Sequence, residues 1–187
     1  MGLEAWRFCE LTLHRPSNVD DPVVFRGILD ALTAISNEIP IIFPIHPRTR
    51  KMAEQFGFRD YFSMTAQPRG LWITEPLGYL ELLHLNVNAR MVITDSGGVQ
   101  EETTVLGVPC ITLRNNTERP ITCEVGTNVV VGNSRDKILH RVTAVLKGEA
   151  SPGKVPEKWD GKAAERIVQI LANLDIKRSS PTEPLSP

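Results

Sequence analysis

The sequence predicts an α/β fold, a Rossmann-like doubly wound parallel sheet. Three observations support this prediction: six short apolar runs, longer stretches of helical period between them, and polar or glycine-rich residues where each run ends. A parallel sheet whose two faces are covered by helices produces this alternation. The 187 residues are enough for one such domain with a buried core.

The apolar runs define the strands, because strands buried on both faces read as nearly continuous hydrophobic segments. The predicted strands are Cys9–Leu13, Ile39–Ile45, Leu71–Thr74, Met91–Thr94, Pro109–Leu113 and Asn128–Val131. Between and after them, apolar residues recur at helical spacing. The predicted helices are Pro22–Ser36, Arg48–Phe56, Gly78–Leu85, Gly98–Leu106, Asp136–Leu146 and, after a Pro/Gly-rich stretch, Ala163–Leu174.

The composition excludes several classes of function. With 21 Lys+Arg against 22 Asp+Glu, the net charge of −1 predicts no nucleic-acid partner and no anionic membrane surface. Cys9, Cys110 and Cys123 form no C-x-x-C pair, which favours a reducing cytoplasm and predicts no metal site. The sequence shows no secretory signal and no long apolar stretch, so we expect a cytoplasmic protein. We also expect that the protein needs no cofactor.

Ligands of open α/β sheets collect beyond the carboxyl ends of the strands, so the residues that follow each strand are the candidates for a site. One strand runs into a helix through Ser96, Gly97 and Gly98. Glycines let the backbone approach a ligand, while the free N–H groups and the helix dipole favour an anion such as phosphate. Ser96 adds a hydroxyl donor, and the segment predicts a phosphate cradle.

Two glutamates follow in the same helix. Glu102 lies one turn beyond Gly98, whereas Glu101 points about 100° away around the axis, so we expect Glu102 to face the ligand. A carboxylate in this place suits hydroxyl donors such as a ribose diol. In the competing interpretation, the acidic and hydroxyl side chains of this segment merely cap and charge-balance a helix start.

Two further strand ends carry basic residues. His14 and Arg15 follow the first strand and offer a tunable donor beside a permanent cation, which suits a pyrophosphate leaving group. After the fifth strand, Arg119 could reach an anion while Glu118 holds it in place. In the competing interpretation, His14 and Arg15 are ordinary salt-bridge partners at a strand end, and Glu118 and Arg119 form a surface pair, the more common case for such residues in a loop. His46, also at a strand end, is a secondary candidate.

Four segments follow one another along the chain: residues 12–20 (TLHRPSNVD), 43–49 (FPIHPRT), 95–102 (DSGGVQEE) and 117–120 (TERP). In this order they resemble the carboxy-terminal half of the non-hydrolysing UDP-N-acetylglucosamine 2-epimerases. The resemblance covers residues 11–174. It implies one half of a GT-B-like enzyme of two Rossmann-like domains, with a nucleotide in the cleft between them and this chain as one wall.

The resemblance also implies roles for individual residues. Ser96, Gly97 and Gly98 would bind the diphosphate of UDP, and Glu102 would hold the ribose hydroxyls. His14, the catalytic candidate, and Arg119 would line the cleft near the phosphates, with Arg15 and His46 as secondary candidates. Tyr79 matches an aromatic residue that packs near the uracil.

The implied reaction interconverts UDP-N-acetylglucosamine and UDP-N-acetylmannosamine, an isomerase activity used in making cell-surface polysaccharides. UDP leaves together with the proton on carbon 2, and both return with the proton on the other face. The carboxylates that move this proton belong to the amino-terminal domain in the family. We therefore expect the isolated chain to be inactive without that domain or a partner subunit.

The resemblance organises the chain into three parts. Residues 1–8 are interpreted as a truncated or foreign leader, residues 9–175 as the UDP-binding domain, and residues 176–187 as a disordered Ser/Pro-rich tail. The apolar face of the last helix, Ala163–Leu174, would be exposed and would favour a homo-oligomer, an expectation that a clean monomer at high concentration would contradict.

Two other functions remain open from the residues alone. One is the nucleotide-sugar domain of a GT-B glycosyltransferase, which shares the architecture. The other is a non-catalytic module that binds UDP-sugars or pairs with another protein.

Overall fold

The computed structural model describes residues 4–63, 70–150 and 152–174. The chain divides into two compact units, Met1–Pro156 and Glu157–Pro187. The tail predicted at residues 176–187 and the first three residues of the predicted leader lie outside the described residues. The sheet and the candidate site belong to the first unit, and one helix belongs to the second.

Six parallel strands form a single sheet in the described residues. They are β1 (Cys9–Thr12), β2 (Ile41–Pro44), β3 (Leu71–Thr74), β4 (Met91–Thr94), β5 (Cys110–Thr112) and β6 (Asn128–Val130). Their order across the sheet is β3-β2-β1-β4-β5-β6. The strand order reverses between β1 and β4, and loops there leave the sheet in opposite directions to create a crevice. The Rossmann-like prediction is confirmed.

The helices are α1 (Pro16–Val19), α2 (Pro22–Ser36), α3 (Pro47–Gln55), α4 (Tyr79–Asn88), α5 (Gly97–Leu106), α6 (Pro120–Glu124), α7 (Arg135–Leu146) and α8 (Ala163–Asn173), with a 3-10 turn at Arg59–Tyr61. Local chemistry sets their ends. The Asp21 carboxylate accepts the N–H groups of Val23 and Val24 at the start of α2. Gly107, with φ of 70°, ends α5 in the left-handed conformation.

Both faces of the sheet are covered. Helices α2, α3 and α7 contribute Phe25, Ala53 and Ile138 to the larger core on one face. On the other face, α4 and α5 pack through Leu85 and Val99 against a smaller core. The alternation of side chains along each strand supplies the apolar residues of both cores.

Several smaller findings bear on the sequence predictions. Cys9 and Cys110 are buried in the core, and burial raises the pKa of the Cys110 thiol to about 12. Within the predicted leader, Phe8 is buried and the Trp6 N–H donates to the Asn88 carbonyl.

Among the described helices, none combines the length and apolar character that crossing a bilayer requires.

Candidate functional site

The amino terminus of α5 lies in the crevice at the reversal of strand order. Strand β4 ends at Thr94, and Ser96 is the N-cap residue of the helix. The Ser96 N–H donates to Thr94 Oγ1 at 2.9 Å, whereas its side chain makes no capping hydrogen bond. The first-turn amides of α5 therefore stay available to an external acceptor.

The two glycines at this helix start are not there to relieve crowding. Among the described residues, a Cβ atom at Gly98 would meet nothing within 4 Å, and one at Gly97 would meet the Glu118 carboxylate at 4.0 Å. Packed side chains do not fill the turn. Open space above backbone N–H groups suits the close approach of an anion.

Asp95 joins this helix start to the loop after β1. Its carboxylate is completely buried and accepts the N–H of His14 at 3.1 and 3.0 Å, the N–H of Arg15 at 2.8 Å and the Asn18 side-chain amide at 3.1 Å. His14 Nδ1 also lies 3.0 Å from Asp95 Oδ1. One carboxylate thus fixes the backbone and the imidazole of the His14 segment.

The ionised form of Asp95 is stabilised in this place. Burial by itself would raise the pKa of the carboxyl, but the His14 side chain and the Arg15 N–H together bring the pKa below its usual range. The sequence shows Asp95 only as part of a motif and does not reveal this role. The partners lie 77 to 81 residues away along the chain, so no local pattern reveals them.

The predicted residues of the first two strand ends come together. The rings of His14 and His46 lie with their centroids 5.4 Å apart. His46 Nδ1 accepts the Arg48 N–H and caps α3, which gives this secondary candidate a structural task. The Arg15 Nε–H donates to the Asp95 carbonyl at 3.3 Å, so Arg15 also lies beside the start of α5.

The loop after β5 corrects one prediction. The Glu118 carboxylate does not hold Arg119, because both of its oxygens accept hydrogen bonds of 2.6 Å from Arg114; only the Glu118 backbone carbonyl accepts one from Arg119, at 3.3 Å. Arg119 instead pairs with Glu101, its Nε lying 2.8 Å from the Glu101 carboxylate. The Arg114 guanidinium lowers the pKa of Glu118 to about 2. The sequence could not choose between these partners, because the turn of the loop decides which carboxylate each arginine meets.

Glu102 and Tyr79 lie on the two neighbouring helices α5 and α4. Glu102 is partly buried beside Asn86 of α4, and it points away from Glu101, which pairs with Arg119. Burial raises the pKa of the Glu102 carboxyl, and the Asn86 amide partly offsets this. Tyr79 begins α4 and is 63% exposed, so its ring is open to a ligand.

Fold and site together define a doubly wound α/β protein with an open helix amino terminus at the reversal of its strand order. The chain belongs to the UDP-N-acetylglucosamine 2-epimerase family. The family model of that description matches residues 3–172.

Two relatives illustrate the match. A Methanocaldococcus jannaschii protein named UDP-N-acetylglucosamine 2-epimerase is 45% identical over 163 residues, which cover 86% of this chain and 43% of the relative. A Pseudomonas aeruginosa protein named UDP-2,3-diacetamido-2,3-dideoxy-D-glucuronate 2-epimerase is 39% identical over 171 residues, which cover 89% of this chain and 45% of the relative. The chain therefore spans about half the length of these relatives.

A solved structure agrees with the sequence match. The Methanocaldococcus jannaschii UDP-GlcNAc 2-epimerase, crystallised with UDP-GlcNAc and UDP, superimposes with a TM-score of 0.79 at 43% identity, covering 90% of this chain and 46% of that one. The similarity extends over nearly the whole chain and includes the candidate site.

Proposed function

We propose that this chain is the UDP-binding half of a UDP-N-acetylglucosamine 2-epimerase and acts together with an amino-terminal half. Family membership favours this function over a glycosyltransferase domain or a non-catalytic module. The chain would hold the UDP group while the other half contributes the carboxylates that move the proton on carbon 2.

The observation that carries the proposal is the open start of α5. Its first-turn amides lack a side-chain cap from Ser96, its glycines face empty space, and Arg15 lies beside it. These groups would bind the diphosphate and stabilise its charge as the bond to the sugar breaks. Arg119, held by Glu101, would approach the same anion from the loop after β5.

The uridine would lie along α4 and α5. The partly buried Glu102 would accept hydrogen bonds from the ribose hydroxyls, and the exposed Tyr79 ring would pack against the uracil. The unpaired cysteines Cys9, Cys110 and Cys123 are compatible with a reducing cytoplasm.

The Pseudomonas aeruginosa relative supports a second candidate, a 2-epimerase that acts on a different UDP-sugar. The proposed site residues of this chain would contact UDP, which both substrates share. The choice between sugars would then fall to the amino-terminal half.

The helix α8 bears on the proposed partner. Its apolar residues Ile167, Val168, Ile170 and Leu171 are all more than half exposed. An apolar helix face in water favours association. We propose that the other half of the enzyme, or a second copy of the chain, covers it.

UDP titration by isothermal calorimetry tests the proposal directly. We expect Ser96→Ala and Glu102→Gln each to weaken UDP binding by about 10- to 150-fold, because a hydrogen bond involving a charged group contributes about 1.5–3 kcal/mol. Uridine should respond to Glu102→Gln but not to Ser96→Ala, since it lacks the phosphates.

Ser134→Ala is the matched control. Ser134 is the N-cap residue of α7 and, like Ser96, makes no side-chain capping bond. UDP affinity should be unchanged in this variant. Affinity that survives both Ser96→Ala and Glu102→Gln would refute the assignment of the site.

A further inference from the structure

A buried acid lies behind the helix that carries Glu102. Glu10 is the second residue of β1 and is 0% exposed, and neither of its carboxylate oxygens has a hydrogen-bond partner among the described residues. An unpaired buried carboxyl destabilises a fold. Proteins keep such groups mainly where function needs them.

The register of the sheet explains where Glu10 points. Its neighbours in the strand, Cys9 and Leu11, belong to the larger core, so Glu10 projects from the opposite face. Its register partners on both sides, Ile42 and Val92, belong to the smaller core beneath α4 and α5. The acid is therefore aimed at the helices that would hold the uridine.

Glu102, on α5, lies next to the same smaller core. It is three residues after Val99 and four before Leu106, both of which pack against the smaller core, so it lies on the edge of α5 that is next to Asn86 of α4. The charge of Glu102 contributes to raising the pKa of Glu10, after the larger effect of burial. Burial and the nearby Glu102 charge therefore both favour the protonated form of Glu10.

Asn86 completes the cluster. Its amide lies close enough to Glu102 to lower the pKa of that carboxyl, yet neither amide atom makes a hydrogen bond within the described residues. Glu10 and Asn86 are both completely buried, whereas Glu102 is partly exposed. Two buried polar groups thus lie near the partly exposed Glu102 carboxylate.

We infer that Glu10 and Asn86 are positioning residues that hold the Glu102 carboxylate on the ribose hydroxyls and so set the preference for a ribonucleotide. This inference rests on the proposed function. As a protonated acid, Glu10 can donate toward Glu102 without adding a second negative charge. The Asn86 amide can donate from α4. When a ribose binds, Glu102 then turns its remaining lone pairs to the diol.

The test compares UDP with 2′-deoxy-UDP, which lacks one hydroxyl, by calorimetry. We expect the wild-type chain to prefer UDP by about tenfold or more, the usual effect of one hydrogen bond to a charged group. Glu10→Leu should reduce this preference to less than about threefold by weakening UDP alone. Glu10→Gln should keep it, because a glutamine side chain donates much as a neutral acid does.

The outcomes distinguish a positioning role of Glu10 from a structural one. Equal losses for UDP and 2′-deoxy-UDP in Glu10→Leu would mean a structural role and would overturn the inference, as would an unchanged preference. Should Glu10→Leu not fold, Asn86→Leu must give the same loss of preference. A wild-type chain that binds neither nucleotide would refute the proposed function itself, and the inference with it.

Discussion

Replacing Asp95 with alanine is expected to lower the free energy of unfolding by about 3–5 kcal/mol, the usual cost of removing one partner from a buried charged network. Asp95 is completely buried, and the N–H groups of His14 and Arg15 and the Asn18 amide all depend on it. Urea denaturation at pH 7 measures the loss. UDP affinity should fall as well, because the His14 segment loses its attachment to the start of α5.

The effect of Asp95 should depend on pH in a defined direction. Its pKa is lowered in the fold, so the stability it contributes is present above the ordinary aspartate pKa of about 4 and is lost as the pH falls through the folded value. The difference between wild type and Asp95→Ala should therefore shrink in acid. A constant difference from pH 7 to pH 2 would contradict the charge-based account. Asp136→Ala, at an exposed position in α7, should change stability little.

The second large effect concerns turnover. In a fusion of this chain with the amino-terminal half of the Methanocaldococcus jannaschii relative, His14→Gln should lower kcat by about 10²- to 10⁴-fold, the usual contribution of a positioned acid–base group. Asp95 engages His14 Nδ1, so the imidazolium form of His14 would still carry an Nε2–H that could donate to the departing diphosphate. The rate is measured by a coupled assay that follows the formation of UDP-N-acetylmannosamine.

His140→Gln is the control for that experiment, because His140 is exposed on α7, outside the crevice. It should leave kcat unchanged. A His14→Gln fusion with full turnover would remove His14 from the reaction, while leaving the UDP site to stand on its own tests.

The strands were predictable because their residues are apolar and mostly buried, completely so in β4 and β5. Each observed strand falls inside its predicted range, and β3 and β4 match residue for residue. The short helices α1 and α6 were missed, since four or five residues cannot show a helical period. Their prolines at the first turn were the available signal.

For the candidate site, too, the features formed by contiguous residues were predictable and those formed by distant residues were not. The cradle at Ser96, Gly97 and Gly98 was predictable because strand, turn and helix start are contiguous in the sequence. The partnership of Asp95 with His14 and that of Glu101 with Arg119 were not, because they depend on the meeting of distant loops. Glu10 escaped notice because a single acid in an apolar run has no local pattern.

The central claim is that the amides at the start of α5 bind a diphosphate. Backbone-amide NMR during a UDP titration tests it most directly, with uridine as the comparison. The account predicts that the amide signals of Gly97 and Gly98 shift most with UDP and little with uridine. Saturable UDP binding that leaves both amide signals unmoved would contradict it.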